Sequence, residues 1–151
     1  MADLAEVQRM LTVLQDIEAI KKLKAKYWHC LDKKLWDEMN QVFAEDATAD
    51  YGYGPDHNLQ GRKAIVQSFI DTLGPDTVIT AHGGHSPEIE ITSDRTATGI
   101  WALQDYVIMG PDLRMVGFGH YEDEYVKIDG QWKKKSTRLT RIFEEWTTVK
   151  H

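Results

Sequence analysis

A chain of 151 residues with 42% hydrophobic content is long enough to bury one good core and too short for two, so residues 1–151 are expected to form a single domain. The formal net charge is −6, with charges interspersed except at Lys133-Lys134-Lys135, expected at an exposed strand end, which leaves nucleic-acid binding without support. The single cysteine, Cys30, excludes an intrachain disulfide, and neither a leader-like N-terminus nor a run of membrane-spanning length occurs, so the expectation is an untargeted cytoplasmic protein.

Apolar residues at Leu4, Val7, Leu11 and Leu14, then at Ile17, Ile20, Leu23, Tyr27 and Leu31, recur at three- and four-residue steps. They predict two helices whose stripes meet near Asp16, a candidate cap of the second. Leu35, Met39, Val42 and Phe43 predict a short third helix over 35–43. The period then changes: residues 48–53 alternate as a strand, and Gly52, Gly54 and Pro55 close it into a loop holding His57 and Asn58. A helix over 62–73 carries Ile65, Phe69 and Leu73 and stops at Gly74-Pro75.

From Thr77 onward the pattern is antiparallel sheet, with strands over 77–85, 88–92, 96–109, 114–128 and 131–146 and a hairpin signal at Asp129-Gly130. Helices first and long consecutive strands afterwards define an α+β fold in which one curved sheet wraps around helices. Gly99, Gly117 and Gly119 inside strands permit the bulges or coiling that closure into a cone requires.

Two strands carry charge on an apolar face. Trp101, Leu103, Asp105 and Val107 share one parity, and so do Leu139, Arg141 and Phe143. A buried charge without a partner costs roughly 3–5 kcal/mol, so Asp105 and Arg141 are expected either to pair with each other or to be poised for chemistry.

His82, in Thr80-Ala81-His82-Gly83-Gly84-His85, is a candidate base if a carboxylate lies beside it, and otherwise a core histidine satisfied by one hydrogen bond. The His82-x-x-His85 spacing invites a metal, but on a strand residues three apart point to opposite faces and no third ligand is near, so no metal is expected. Tyr27 and Asp32 stand about 140° apart on a helix. They suit the mouth of a pocket, where a phenol donates to a ligand oxygen and an aspartate orients an imidazole. They equally suit an apolar stripe and a cap for a helix starting near Lys33. His120 alternates with Phe118 and Glu122, and Tyr51, Tyr53, Trp101, Tyr106, Phe118, Tyr121 and Trp146 are numerous enough to line an aromatic pocket, in which His120 is also expected. No phosphate loop, dinucleotide fingerprint or Ser-His-Asp order is present, and no cofactor is expected.

Ile20-x-x-Leu23-x-x-x-Tyr27-x-x-x-Leu31-Asp32, Trp36, Phe43-Ala44-Glu45-Asp46-Ala47, Gly61-Arg62-Lys63-Ala64-Ile65, His82, Pro87-Glu88-Ile89, Ala97-x-Gly99-x-Trp101 and Asp129-Gly130-x-Trp132 together resemble the SnoaL-like branch of the nuclear transport factor 2-like superfamily. The resemblance runs from Ile17 on. It implies a cone of N-terminal helices on a strongly curved, mainly antiparallel sheet around an apolar cavity. The subgroup most similar in look contains scytalone dehydratase, bile acid 7α-dehydratases and hexachlorocyclohexane dehydrochlorinase. By position, Asp32 resembles the dyad aspartate and His82 the catalytic histidine; Tyr27, Asp105 and Arg141 match the tyrosine, the further acid and the inward arginine. His85 departs from the asparagine or small polar residue of many relatives, and the tail after Thr147 is short.

The resemblance implies a cofactor-independent lyase, a dehydratase acting on a small apolar, carbonyl-bearing ring compound such as a steroid, terpenoid or polyketide-like molecule. An isomerase or polyketide cyclase would use the same pocket, and a non-catalytic binding or oligomerisation module, or a small oxygenase subunit, would keep the fold without the chemistry. Homo-oligomers, trimer or dimer, are expected through the apolar outer face of the last strands.

Overall fold

In the computed structural model, residues 3–52 and 58–149 are described, so Tyr53 and His57 lie outside the described residues. A single helix, α1 (Leu4–Asp32), replaces the two expected. Its N-cap is Asp3, whose side chain accepts from the Glu6 amide at 2.8 Å. Asp16 sits mid-helix and caps nothing: it accepts from Trp132 Nε1 at 2.9 Å and from Lys127 Nζ, which ties the helix to the last hairpin. Residues before it are exposed, whereas Ile20, Lys24, Tyr27, Trp28 and Leu31 are buried.

Helix α2 (Trp36–Met39) is a single turn, and the chain enters strand β1 (Phe43–Asp50) earlier than the alternation suggested. Strand β2 (Asn58–Gln60) occupies part of the expected loop and pairs antiparallel with β1. Helix α3 (Arg62–Leu73) has the expected bounds and buries Ile65, Val66 and Phe69. Four long strands follow: β3 (Val78–Ile91), β4 (Thr96–Met109), β5 (Leu113–Ile128) and β6 (Gln131–Thr148). The two short strands expected over 77–92 are one strand with a register shift between His85 and Glu88. The β5–β6 turn uses positive φ at both Asp129 (50°) and Gly130 (76°), the geometry its Asp-Gly pair signals.

The sheet order is β2-β1-β6-β5-β4-β3, antiparallel except for β1 beside β6. That parallel pairing joins the first strand to the last. Helix α1 packs across the concave face against β3 and β6, and α3 against β1. The closest approach is at Gly84, where a Cβ would stand 1.6 Å from the Trp28 ring. Only glycine lets the indole lie on the strand there, and this seating brings the end of α1 over His82.

Two shifts in β6 decide which side chains face inward. One falls opposite Glu124/Tyr125 and places both Lys134 and Thr137 inside; the other falls opposite Phe118/Gly119 and inserts Ile142. Each extra residue reverses the alternation.

Candidate active site

At the C-terminal end of α1, Asp32 reaches β3. Its carboxylate accepts from the His82 amide at 3.0 Å and the Thr80 hydroxyl at 2.8 Å, and its Oδ1 lies 2.6 Å from His82 Nδ1. It is therefore not a cap for the following helix, whose N-cap position is Leu35 with no side-chain bond. Burial pushes the Asp32 carboxyl up, but the hydrogen bonds from the His82 ring and amide and from Thr80 outweigh it and hold the group below the usual carboxylate value. A charged carboxylate fixed at Nδ1 leaves Nε2 as the ring nitrogen able to exchange a proton with a molecule in the cavity.

That cavity has a volume of about 260 Å³. Tyr27, Tyr51, Tyr121, His82, Asp105 and Arg141 supply polar groups; Phe69 and Leu73 of α3, with Val107, Met109, Met115, Leu139 and Trp146, make the rest largely apolar. Arg141 grips Asp105 in a bidentate pair, Nη1–Oδ1 at 2.6 Å and Nη2–Oδ2 at 2.8 Å. Between them lies Gly117, where a Cβ would come within 2.5 Å of both Arg141 Nη1 and Asp105 Oδ1. Asp105 is the cross-strand partner of His82, so the two side chains are neighbours on the concave face. The Tyr27 hydroxyl donates to that of Tyr51 at 3.2 Å. Burial raises Tyr27, Tyr51 and Tyr121 well above the ordinary phenol value, leaving three neutral phenols at this end of the cavity.

The structure thus gathers Tyr27, His82, Asp105, Arg141 and Tyr51 around one space, with Asp32 behind His82. Three expected pocket residues stand elsewhere. Phe118 and His120 are exposed on the outer face, because β5 turns Met115, Gly117, Tyr121, Asp123 and Tyr125 inward; both parities of this strand carry aromatic residues, which made the choice ambiguous. Trp101 is buried but lies away from the cavity wall, edge-on to Trp28 and donating to the Tyr125 hydroxyl at 3.0 Å. Phe143 is exposed as well, since the insertion at Ile142 flips the strand and presents Trp146 to the cavity. His85 is exposed, facing away from His82. Among the described residues, no three histidine, cysteine or acidic side chains converge as a metal site.

Sequence reasoning missed a second charged set deeper in the same face. Lys134, expected at an exposed strand end, is fully buried, as is Lys24. Both bond Asp123, Lys24 Nζ to Oδ2 at 2.6 Å and Lys134 Nζ to Oδ1 at 3.2 Å. Asp123 also accepts from Tyr125 at 2.8 Å and Thr137 at 2.5 Å. Burial opposes its charge, yet the two ammonium groups hold its carboxyl at about 2. Lys24 occupies the buried stripe Ile20, Lys24, Tyr27, Leu31, and that spacing was the available signal.

A helix-lined, curved six-stranded sheet closing on a cavity with these residues defines the nuclear transport factor 2-like fold. The chain belongs to the SnoaL-like domain family, whose model matches residues 12–138. A structure from Novosphingobium aromaticivorans DSM 12444, named as a candidate scytalone dehydratase, is similar at 25% identity and a TM-score of 0.80, with 93% of each chain covered. A hexachlorocyclohexane dehydrochlorinase from Novosphingobium barchaimii LL02 shares the fold at 20% identity and a TM-score of 0.77, with 92% of this chain and 93% of that one covered. An uncharacterised protein of Mycobacterium tuberculosis H37Rv is 21% identical over 140 residues, 90% of this chain and 93% of that protein. Among the described residues, no helix is long and apolar enough to cross a membrane.

Proposed function

We propose that this protein is a cofactor-independent lyase that eliminates water from a small apolar ring compound bearing a carbonyl. The observation that carries the reading is the 2.6 Å contact of His82 Nδ1 with Asp32 at the wall of a mostly apolar cavity. His82 Nε2 takes the proton next to the carbonyl, and Asp32 holds the tautomer and stabilises the imidazolium that forms. Tyr51, which accepts from Tyr27 and so keeps its own proton free to point into the cavity, donates to the oxygen that gains charge. The C–O bond then breaks and the hydroxyl leaves as water with the proton returned by the His82 imidazolium, while Arg141, held by Asp105 beside His82, hydrogen-bonds the departing oxygen. The dehydratase and dehydrochlorinase names carried by similar structures support elimination as the reaction class. The cavity, about 260 Å³ and mostly apolar, suits a small ring compound. Isomerisation or cyclisation would use the same base on substrates lacking a leaving group beta to the carbanion.

The test is incubation of wild type and His82→Gln with a library of hydroxy-ketone rings, read by mass. Loss of one water with wild type alone is the expected result; binding by both without mass change would replace the lyase by a binding module. We also propose a homo-oligomer, because Ile100, Tyr106, Phe118, Ile142 and Phe143 leave an apolar outer sheet face exposed. Light scattering showing a monomer at working concentration would remove that proposal.

A further inference from the structure

Two lysines share one aspartate in the buried set, so a surplus of positive charge stands in the protein interior when all three are ionised. Burial works against both lysines, and a sealed ion cluster of this kind is seldom a net gain in stability over apolar packing. Its position is more informative. Lys134 Nζ lies 4.0 Å from the centroid of the Tyr27 ring and Lys24 Nζ lies 3.7 Å from that of Tyr121. Those rings meet edge to face, 6.0 Å apart, and both line the cavity. The ammonium groups, themselves wholly buried, therefore do not touch the ligand, from which the two rings separate them.

A cation on a phenol's face draws electron density from the ring and strengthens its O–H as a donor, and in a dry interior the charge is felt beyond the ring. We propose that Lys24 and Lys134, locked by Asp123, are positioning residues that make the Tyr27–Tyr121 end of the cavity prefer ligands with negative charge on a ring oxygen, enolate or phenolate in form. This deepens the reading above by naming the charge state favoured at the ligand oxygen. Its test rests on binding alone, so failure to lose water would not bear on it.

The probe is 4-nitrophenol, whose anion absorbs in the visible. Its titration midpoint is compared free and bound, in a His82→Gln background so that the imidazole does not contribute. The expected result is a midpoint lowered on binding, and a return upward by about one unit, roughly a tenfold loss of anion preference, in Lys134→Met or Lys24→Met. Affinity for the neutral probe should change by less than about threefold. A purely structural role would weaken both forms together and leave the midpoint in place, which overturns the proposal. No binding of either form, or no anion preference in the parent, overturns it too. Should the single variants fail to fold, the uncharged triple variant Lys24→Met, Asp123→Asn, Lys134→Met decides: loss of the midpoint shift supports the proposal, retention ends it.

Discussion

The concave face of the sheet carries two sets of ionisable side chains that differ in whether a molecule in the cavity can touch them. The open set, His82 on Asp32 and Arg141 on Asp105, is paired so that each partnership leaves a group facing the cavity. The sealed set, Lys24 and Lys134 on Asp123, is satisfied internally, with Asp123 accepting three hydrogen bonds at 2.5–2.8 Å and pairing with Lys134 at 3.2 Å. Charges at the cavity wall keep one side toward the cavity, whereas charges buried without access must complete their pairing within the protein.

The sharpest way to separate the two is to remove one member of each. His82→Gln should lower the rate of elimination by roughly 10²–10⁴-fold, the usual worth of a general base, while costing no more in urea unfolding than the hydrogen bond to Asp32, about 1 kcal/mol. Asp123→Ala should do the reverse in kind, costing roughly 3–5 kcal/mol in urea unfolding because two ammonium groups lose their counter-ion in a dry interior. Equal loss of stability in both variants would collapse the distinction.

Gly117→Ala tests the space beneath the open set. Its Cβ would fall 2.5 Å from both the Arg141 and Asp105 atoms, so the bidentate pair must part, at about 1–3 kcal/mol and with a fall in activity at unchanged fold. Acid unfolding is expected to report the sealed set. Asp123 is held at about 2 in the folded state against an ordinary 3.8. The stabilisation, about 2 kcal/mol, is full above about pH 4 and lost as pH falls toward 2. Asp32 contributes in the same sense, since its value is also lowered. Lys24 contributes oppositely: its lowered value is a cost below that value, relieved as pH rises toward 10.5. Urea midpoints from neutral to acid pH for wild type and Asp123→Asn check the sign, the variant showing the shallower acid decline. The smallest effect is expected at His85→Ala, within about 0.5 kcal/mol and without loss of activity, because the ring faces away from the cavity.

Local pattern carried much of the architecture. Helical spacing and the Gly74-Pro75 stop set the bounds of α3, Asp129-Gly130 set the last hairpin, and the alternation Trp101, Leu103, Asp105, Val107 set the inward face of β4. The same alternation exposed Asp105 and Arg141 as charges out of place on apolar faces. These features are legible because a helix or a strand repeats over a few residues and depends on little else.

What failed to read from the chain was decided by partners far away. Asp16 looked like a cap until Trp132 and Lys127, more than a hundred residues later, claimed its carboxylate. Lys134 looked exposed because a run of three lysines gives no sign of which one turns inward, and the register shift against β5 made that choice. Phe118 and His120 lost their place to Tyr121, and Phe143 lost its place to Trp146, through parity alone. The meeting of Asp32 with His82 depended on Trp28 settling onto Gly84, a close approach between a helix and a strand that joins two residues 50 apart in the chain by a hydrogen bond. By itself the sequence determined the repeating elements and the presence of misplaced charge; the tertiary structure decided which charges touch the cavity, because bulges, register and helix seating follow from non-local packing.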